Sequence, residues 1–161
     1  MSADGVRHHD EVLVMVTRRN LLALAWYDAP RPGHLPAVLR VVDDLHRAHG
    51  KYGLLDVVVR GTPSFPEQVR EEGRLLIEHT HGWGGVTSHV IEVEGFAGTA
   101  TRMFLSTMLL MGRGRASDQK VFAKAPEACT WLANVLSRAQ NPWSAAELER
   151  VYAELRAIAP R

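Results

Sequence analysis

The sequence predicts an α/β fold: a mixed sheet of four to five strands with flanking helices and an extra helix at the C-terminus. Three observations carry that expectation. Apolar runs of strand length, LLALAWY at 21–27 and LLDVVV at 54–59, are interleaved with stretches of helical periodicity. The first run is apolar at every position, as suits an inner strand covered on both faces. Helices alternating with buried strands after an initial hairpin imply crossover connections, whose expected hand is right.

A chain of 161 residues is one domain's worth and can bury a core without disulfides or metal. Apolar residues make up 46% and charged residues 23%, the mix of an ordinary globular protein. The formal charge of +1 and the absence of a basic run argue against a nucleic-acid binder. Cys129 is the single cysteine and has no intrachain partner, and MSADGVRHHDE carries no apolar signal core, so the expected compartment is the cytoplasm. No apolar tract is long enough to span a bilayer.

Residues 1–10 are polar and aperiodic and are read as a flexible tail. Val12–Thr17 and Leu21–Tyr27 form a hairpin around Arg18-Arg19-Asn20. After the break at Asp28 to Gly33, Leu35, Val38, Leu39, Val42 and Leu45 share one face of a helix that stops at Gly50. The spacings Arg40/Asp44 and Asp43/Arg47 make Asp43 and Asp44 a solvated, ion-paired face rather than an acid/base pair. Strand 54–59 follows, then Ser64-Phe65-Pro66-Glu67 with capping-box spacing and a helix to about Thr80 with Val69, Gly73 and Leu76 inward.

Strand Thr87–Glu94 alternates, which places it nearer an edge. A helix over 97–111 follows, with Arg102 as its single charge, so more than the sheet must cover it. On it Arg102, Ser106 and Leu109 fall on one stripe and form the candidate interaction surface. A short strand Gln119–Phe122, a helix carrying Ala128, Trp131, Leu132 and Val135 inward, and a final capped helix from Ser144 complete the chain. The expected core includes Leu24, Trp26, Leu39, Val57, Val59, Ile91, Phe104 and Trp131. The resulting division is a tail (1–10), an α/β domain (11–139) and a C-terminal helical extension (140–161).

Chemistry-bearing residues are sparse. His79 with His81, and His46 with His49, stand near expected helix C-termini, where they complement the dipole, and no further metal donors can be identified by spacing. Gly112-Arg113-Gly114-Arg115 follows a helix C-terminus, whereas phosphates are held at N-termini. Cys129 reads as packing. No nucleophile elbow, P-loop, zinc-protease helix or dinucleotide fingerprint is present. The expectation is therefore a chain that is not an enzyme, with no catalytic residues, no cofactor and no metal required for folding.

The element order, and above all EVEGFAGTATRMFLSTMLL followed by KVFAKAPEACTWLANVL, resembles the bacterial STAS superfamily in its SpoIIAA-like or SEC14-like branch. In that family a short strand ending in Val-Phe, a proline- or acid-bearing turn and an Ala-x-x-Trp-Leu helix close the domain. The resemblance covers about Glu11 to Leu136. It implies a signalling or regulatory protein-interaction module, with a protein partner or self-association into a homo-oligomer. Family members that act as anti-sigma antagonists present a phosphorylatable Asp-Ser pair where the helix follows the middle strand. Here the junction reads Arg60-Gly61-Thr62-Pro63-Ser64, so the pair is absent and Ser64 is the nearest counterpart, with Thr62 beside it. The alternative that SEC14-like relatives suggest is a carrier of a small apolar ligand or lipid.

Overall fold

Strand β3 (Leu21–Trp26) is buried at all six positions and sits inside the sheet, as its unbroken apolar run requires. The structure, a computed structural model, describes residues 4–61, 65–95, 98–99 and 119–161. Among these the other strands are β1 (Gly5–His9), β2 (Leu13–Arg18), β4 (Lys51–Val58), β5 (Gly84–Ile91) and β6 (Gln119–Phe122). The described helices are α1 (His34–His49), α2 (Glu67–Thr80), α3 (Ala125–Leu136) and α4 (Ala145–Ala157). All six strands follow chain order in one mixed sheet, antiparallel from β1 to β3 and parallel from β3 to β6. No described helix is long and apolar enough to cross a membrane.

Alternation along β3 divides the core. Leu22, Leu24 and Trp26 pack with Leu13 and Met15 of β2 and with Ala37, Val38, Val41, Val42 and Leu45 of α1. Leu21, Ala23 and Ala25 join Val14, Val16, Leu55 and Val57 on the opposite face, under Leu132 and Leu136 of α3 and Leu148, Val151 and Leu155 of α4. Gly53 on β4 lies so close to this second layer that an added Cβ would stand 2.8 Å from Leu136 Cδ1. The β2–β3 turn has two residues, Arg19 and Asn20, and Arg19 takes a φ of 51° without being glycine. Asp4 accepts from the Arg19 amide at 2.7 Å, and the Arg19 guanidinium lies 3.9 Å from the centroid of the Trp143 ring. The indole of Trp143 in turn donates to Asn20 Oδ1 at 2.8 Å, pinning the turn to the approach of α4.

Several expectations need correction. The sheet has six strands rather than four or five, because residues 5–9 are not a flexible tail but pair with β2. This edge strand lacks a clean alternation because a register shift between Val6 and His8 interrupts it. β5, by contrast, lies one strand in from the edge strand β6, nearer an edge than β3 or β4, as its alternation implies. Leu35 and Leu39 lie at the margin of the α1 stripe, with Ala37 and Val41 buried instead. Asp43 pairs with Arg47 at 2.7 Å as spaced, but Asp44 pairs with Arg7 of β1 rather than Arg40. α2 starts at Glu67 with Pro66 at its N-cap, and the capping box of Ser144 and Glu147 forms on α4. The helical extension shares the core of the domain, because Leu148 and Leu155 are fully buried in it. Ser64, Thr62, Phe104 and the stripe Arg102, Ser106 and Leu109 lie outside the described residues.

This packing predicts unequal costs for two leucines. Leu148→Ala should lower the unfolding free energy by about 2 to 5 kcal/mol, through lost transfer energy and an unfilled cavity. Leu39→Ala, at a half-buried margin, should cost about 1 kcal/mol. Urea unfolding of both variants checks the α1 register and the inclusion of α4 in the core together.

Candidate functional site

In open α/β sheets ligands bind beyond the carboxyl ends of the parallel strands, so polar groups there are the first to consider. Three clusters occupy that end or approach it.

The first crosses four strands on the α1 face. Trp26 Nε1 donates to Asp56 Oδ1 at 2.9 Å, Asp56 Oδ2 meets His89 Nδ1 at 2.6 Å, and His89 Nε2 meets Gln119 Oε1 at 3.0 Å. Strand register assembles this ladder, with Leu24, Asp56, His89 and Val121 as direct neighbours across β3 to β6. A carboxylate on an inner strand is costly unless paired, and the indole and imidazole supply the pairing. Burial works against the charged form of His89, but the hydrogen bond and charge of Asp56 outweigh it and raise its pKa above the usual histidine value. With both ring nitrogens engaged, His89 is held as an ion-pair partner and not presented as a free base.

The second cluster centres on Asp10. Its Oδ1 accepts from the amides of Val12 and Leu13 at 2.7 and 2.8 Å, a local turn that launches β2. Its Oδ2 meets His8 Nε2 at 2.8 Å and His34 Nε2 at 2.9 Å. Burial opposes ionisation of Asp10, yet the Leu13 and Val12 amides and the two histidines prevail and hold the carboxyl far below the usual carboxylate range. His34 stands at the first position of α1, set there by Gly33 in the left-handed region at φ 97°. Its Nδ1 accepts from the Arg31 amide at 3.0 Å, and its ring edges against Trp26 and His8. Among the described residues, His8, Asp10 and His34 are the one group of three metal-donor side chains whose donor atoms all lie within 4.8 Å of one another.

The third cluster lies on the opposite face. Arg60 Nε donates to the carbonyl of Tyr27 at 3.0 Å. Arg156 of α4 donates to the Tyr27 hydroxyl at 3.1 Å and pairs with Glu92 at 3.3 Å, and Tyr152 also bonds Glu92. These bonds fasten α4 to the ends of β3 and β5.

The sequence-predicted histidines serve helix ends. His46 stacks on Trp83 with ring centroids 4.4 Å apart and bonds the Gly50 carbonyl, and His79 bonds the Leu75 carbonyl at 2.9 Å. None of His46, His49, His79 and His81 belongs to the three-donor group. Cys129 is fully buried and its thiol is pushed up to about 12, by burial first and then by Glu149, so it packs and does not react. A groove of about 490 Å³ runs between β1 and α1, lined by Asp4, Arg7, Asp44 and Arg47 among others, and its charged walls do not suit an apolar ligand.

Sequence reasoning passed over Asp56, His89, His8, Asp10 and His34. For the first pair a signal existed. Asp56 lies inside a strand read as buried, where a carboxylate needs a partner, and parallel pairing with the next strand brings His89 into register with it. For the Asp10 cluster there was none, because its members come from a supposed tail and from a helix start.

The raised pKa of His89 sets a pH dependence with a definite sign. The folded chain holds the proton more tightly than the unfolded chain, so the stability of this pair is fully present below the unfolded value, about 6.5, and is lost as pH rises through the higher folded value. Urea midpoints of the wild type should therefore fall from about pH 6 to about pH 9 more steeply than those of His89→Gln. Parallel curves for the two proteins would contradict the ion pair.

No protein-family model, curated protein or solved structure matches the chain, and its functional reading rests on this geometry.

Proposed function

We propose that the chain is a non-catalytic protein-interaction module of the STAS type, acting in signalling or regulation, with α2 and its lead-in as part of its docking surface. The observation that carries this reading is the poor burial of α2. Val69 is its one fully buried apolar residue, while Ile77 is 68% exposed, Leu75 37% and Phe65, just before the helix, 40%. Apolar side chains kept in water on one helix are a cost that a partner removes. The resemblance places the family's switch serine at this same helix start, and without the Asp-Ser pair the surface works without the usual phosphorylation switch.

Two further features support the reading. The consecutive parallel order of β3 to β6 accords with the family's architecture, and Phe122 at the end of β6 packs against Trp131 of α3, two of the residues on which the resemblance rests. The histidines of the two clusters near the strand ends are engaged by Asp10, Arg31, Asp56 and Gln119 rather than poised for proton transfer.

Ile77→Asp keeps the core intact and tests the surface. Light scattering of the wild type over a concentration series should show self-association, or photo-crosslinking from position 77 in the source cells should trap a protein partner. Ile77→Asp should abolish whichever of these occurs, with an unchanged circular dichroism spectrum. The sequence-derived stripe is tested in the same way by Leu109→Asp. A monomeric wild type that carries a co-purifying lipid in native mass spectrometry would replace this reading with that of an apolar-ligand carrier.

A further inference from the structure

We propose that His8, Asp10 and His34 form a binding site for one divalent transition metal ion of the zinc class, which clips the N-terminal strand to the head of α1. Three donor atoms converge there from β1, the β1–β2 turn and α1. Two imidazole nitrogens and one carboxylate oxygen suit Zn²⁺ or Co²⁺ better than Ca²⁺ or Mg²⁺, which prefer oxygen shells. Asp10 Oδ2 stands 2.8 Å from His8 Nε2 and 2.9 Å from His34 Nε2. Neighbouring donors on a tetrahedral ion with bonds of about 2.1 Å stand roughly 3.4 Å apart, so the two imidazole nitrogens share an ion with Asp10 by moving outward about half an ångström from their hydrogen-bonded positions.

The surroundings also favour coordination. The Val12 and Leu13 amides hold the far oxygen of Asp10 and aim the near one at both rings, the kind of outer support that orients a metal ligand. His34 is nearly buried, whereas His8 and Asp10 are partly open, so an ion has access and can keep water in its remaining positions. One feature opposes it. The Arg31 amide donates to His34 Nδ1, which places the ring proton on the nitrogen the metal needs. Binding moves that proton to Nδ1 and opens the Arg31 contact. Arg31 is an exposed loop residue whose amide can turn to water, and one such hydrogen bond is small beside three coordination bonds.

The test is calorimetric titration of the tag-free full chain with Zn²⁺ near neutral pH, with the visible spectrum of Co²⁺ as a second readout. The expected result is one ion per chain. His8→Ala and Asp10→Asn should each weaken binding at least about tenfold and remove the Co²⁺ spectrum of a nitrogen-ligated site. His9→Ala, whose ring bonds the Ala159 carbonyl, and His79→Ala combined with His81→Ala should leave the affinity within about twofold. Because His8 lies on the edge strand, the His8→Ala variant decides the matter even if His34→Ala does not fold. Absence of stoichiometric binding to the wild type overturns the site, as does binding that His8→Ala leaves unchanged or that the His79/His81 double variant abolishes.

Discussion

A strand with no polar position needs hydrogen-bonded neighbours on both edges and apolar cover on both faces, and β3 meets that demand in a way that sets the rest of the chain. β2 and β4 take its edges, and α1 covers the face of Leu22, Leu24 and Trp26. The other face offers Leu21, Ala23 and Ala25, two of them too small to fill a layer by themselves, and α3 and α4 supply the missing bulk with Leu132, Leu136, Leu148 and Leu155. The final helix is therefore part of the domain's second layer. Each fully buried leucine of this kind contributes roughly 1.5 to 3 kcal/mol relative to exposure, which is why an apparent appendage outweighs any surface ion pair here.

The same two-sided burial makes polar residues inside the sheet a liability, and the ladder from Trp26 to Gln119 answers it. Because side chains alternate, slipping β4 by one residue would turn Asp56 to the face of Leu55 and Val57, away from both His89 and the Trp26 indole. The carboxylate would then be buried without a partner. The ladder thus fixes register as well as satisfying its own groups, and it binds β6, a strand of four residues, through a side chain as well as through the backbone.

Local signals were legible in the sequence wherever one segment decides its own structure. The LLALAWY run, the stop at Gly50, the Ser144/Glu147 capping box and the packing role of Cys129 all follow from short-range pattern. What failed depends on distant partners. β1 has no periodicity because it is a bulged edge strand whose Arg7 reaches Asp44. α2 takes its boundary at Pro66, and Leu39 falls at the margin of the α1 stripe because Ala37, Val38, Val41, Val42 and Leu45 turn toward β3. The Asp10 and Asp56 clusters join residues separated by up to 33 positions, a distance over which periodicity carries no information.

The closed character of the β1 edge bears on where a partner can dock. An exposed edge strand invites pairing with another chain, and proteins suppress it with short strands, bulges and charge. β1 shows all three: five residues, a register shift at Val6/His8, and Arg7 tied to α1. The C-terminus adds further ties, since the Arg161 amide donates to the Asp10 carbonyl and His9 meets the Ala159 carbonyl at 2.6 Å. Strand addition at β1 would have to undo these contacts before forming new ones. At α2 nothing need be undone, because Ile77 and Leu75 already stand in water, and Arg74 pairs within the helix with Glu71 and Glu78 beside them. A partner arriving there would desolvate apolar surface without leaving these charges unpaired, an arrangement that favours docking on α2 over strand addition at β1.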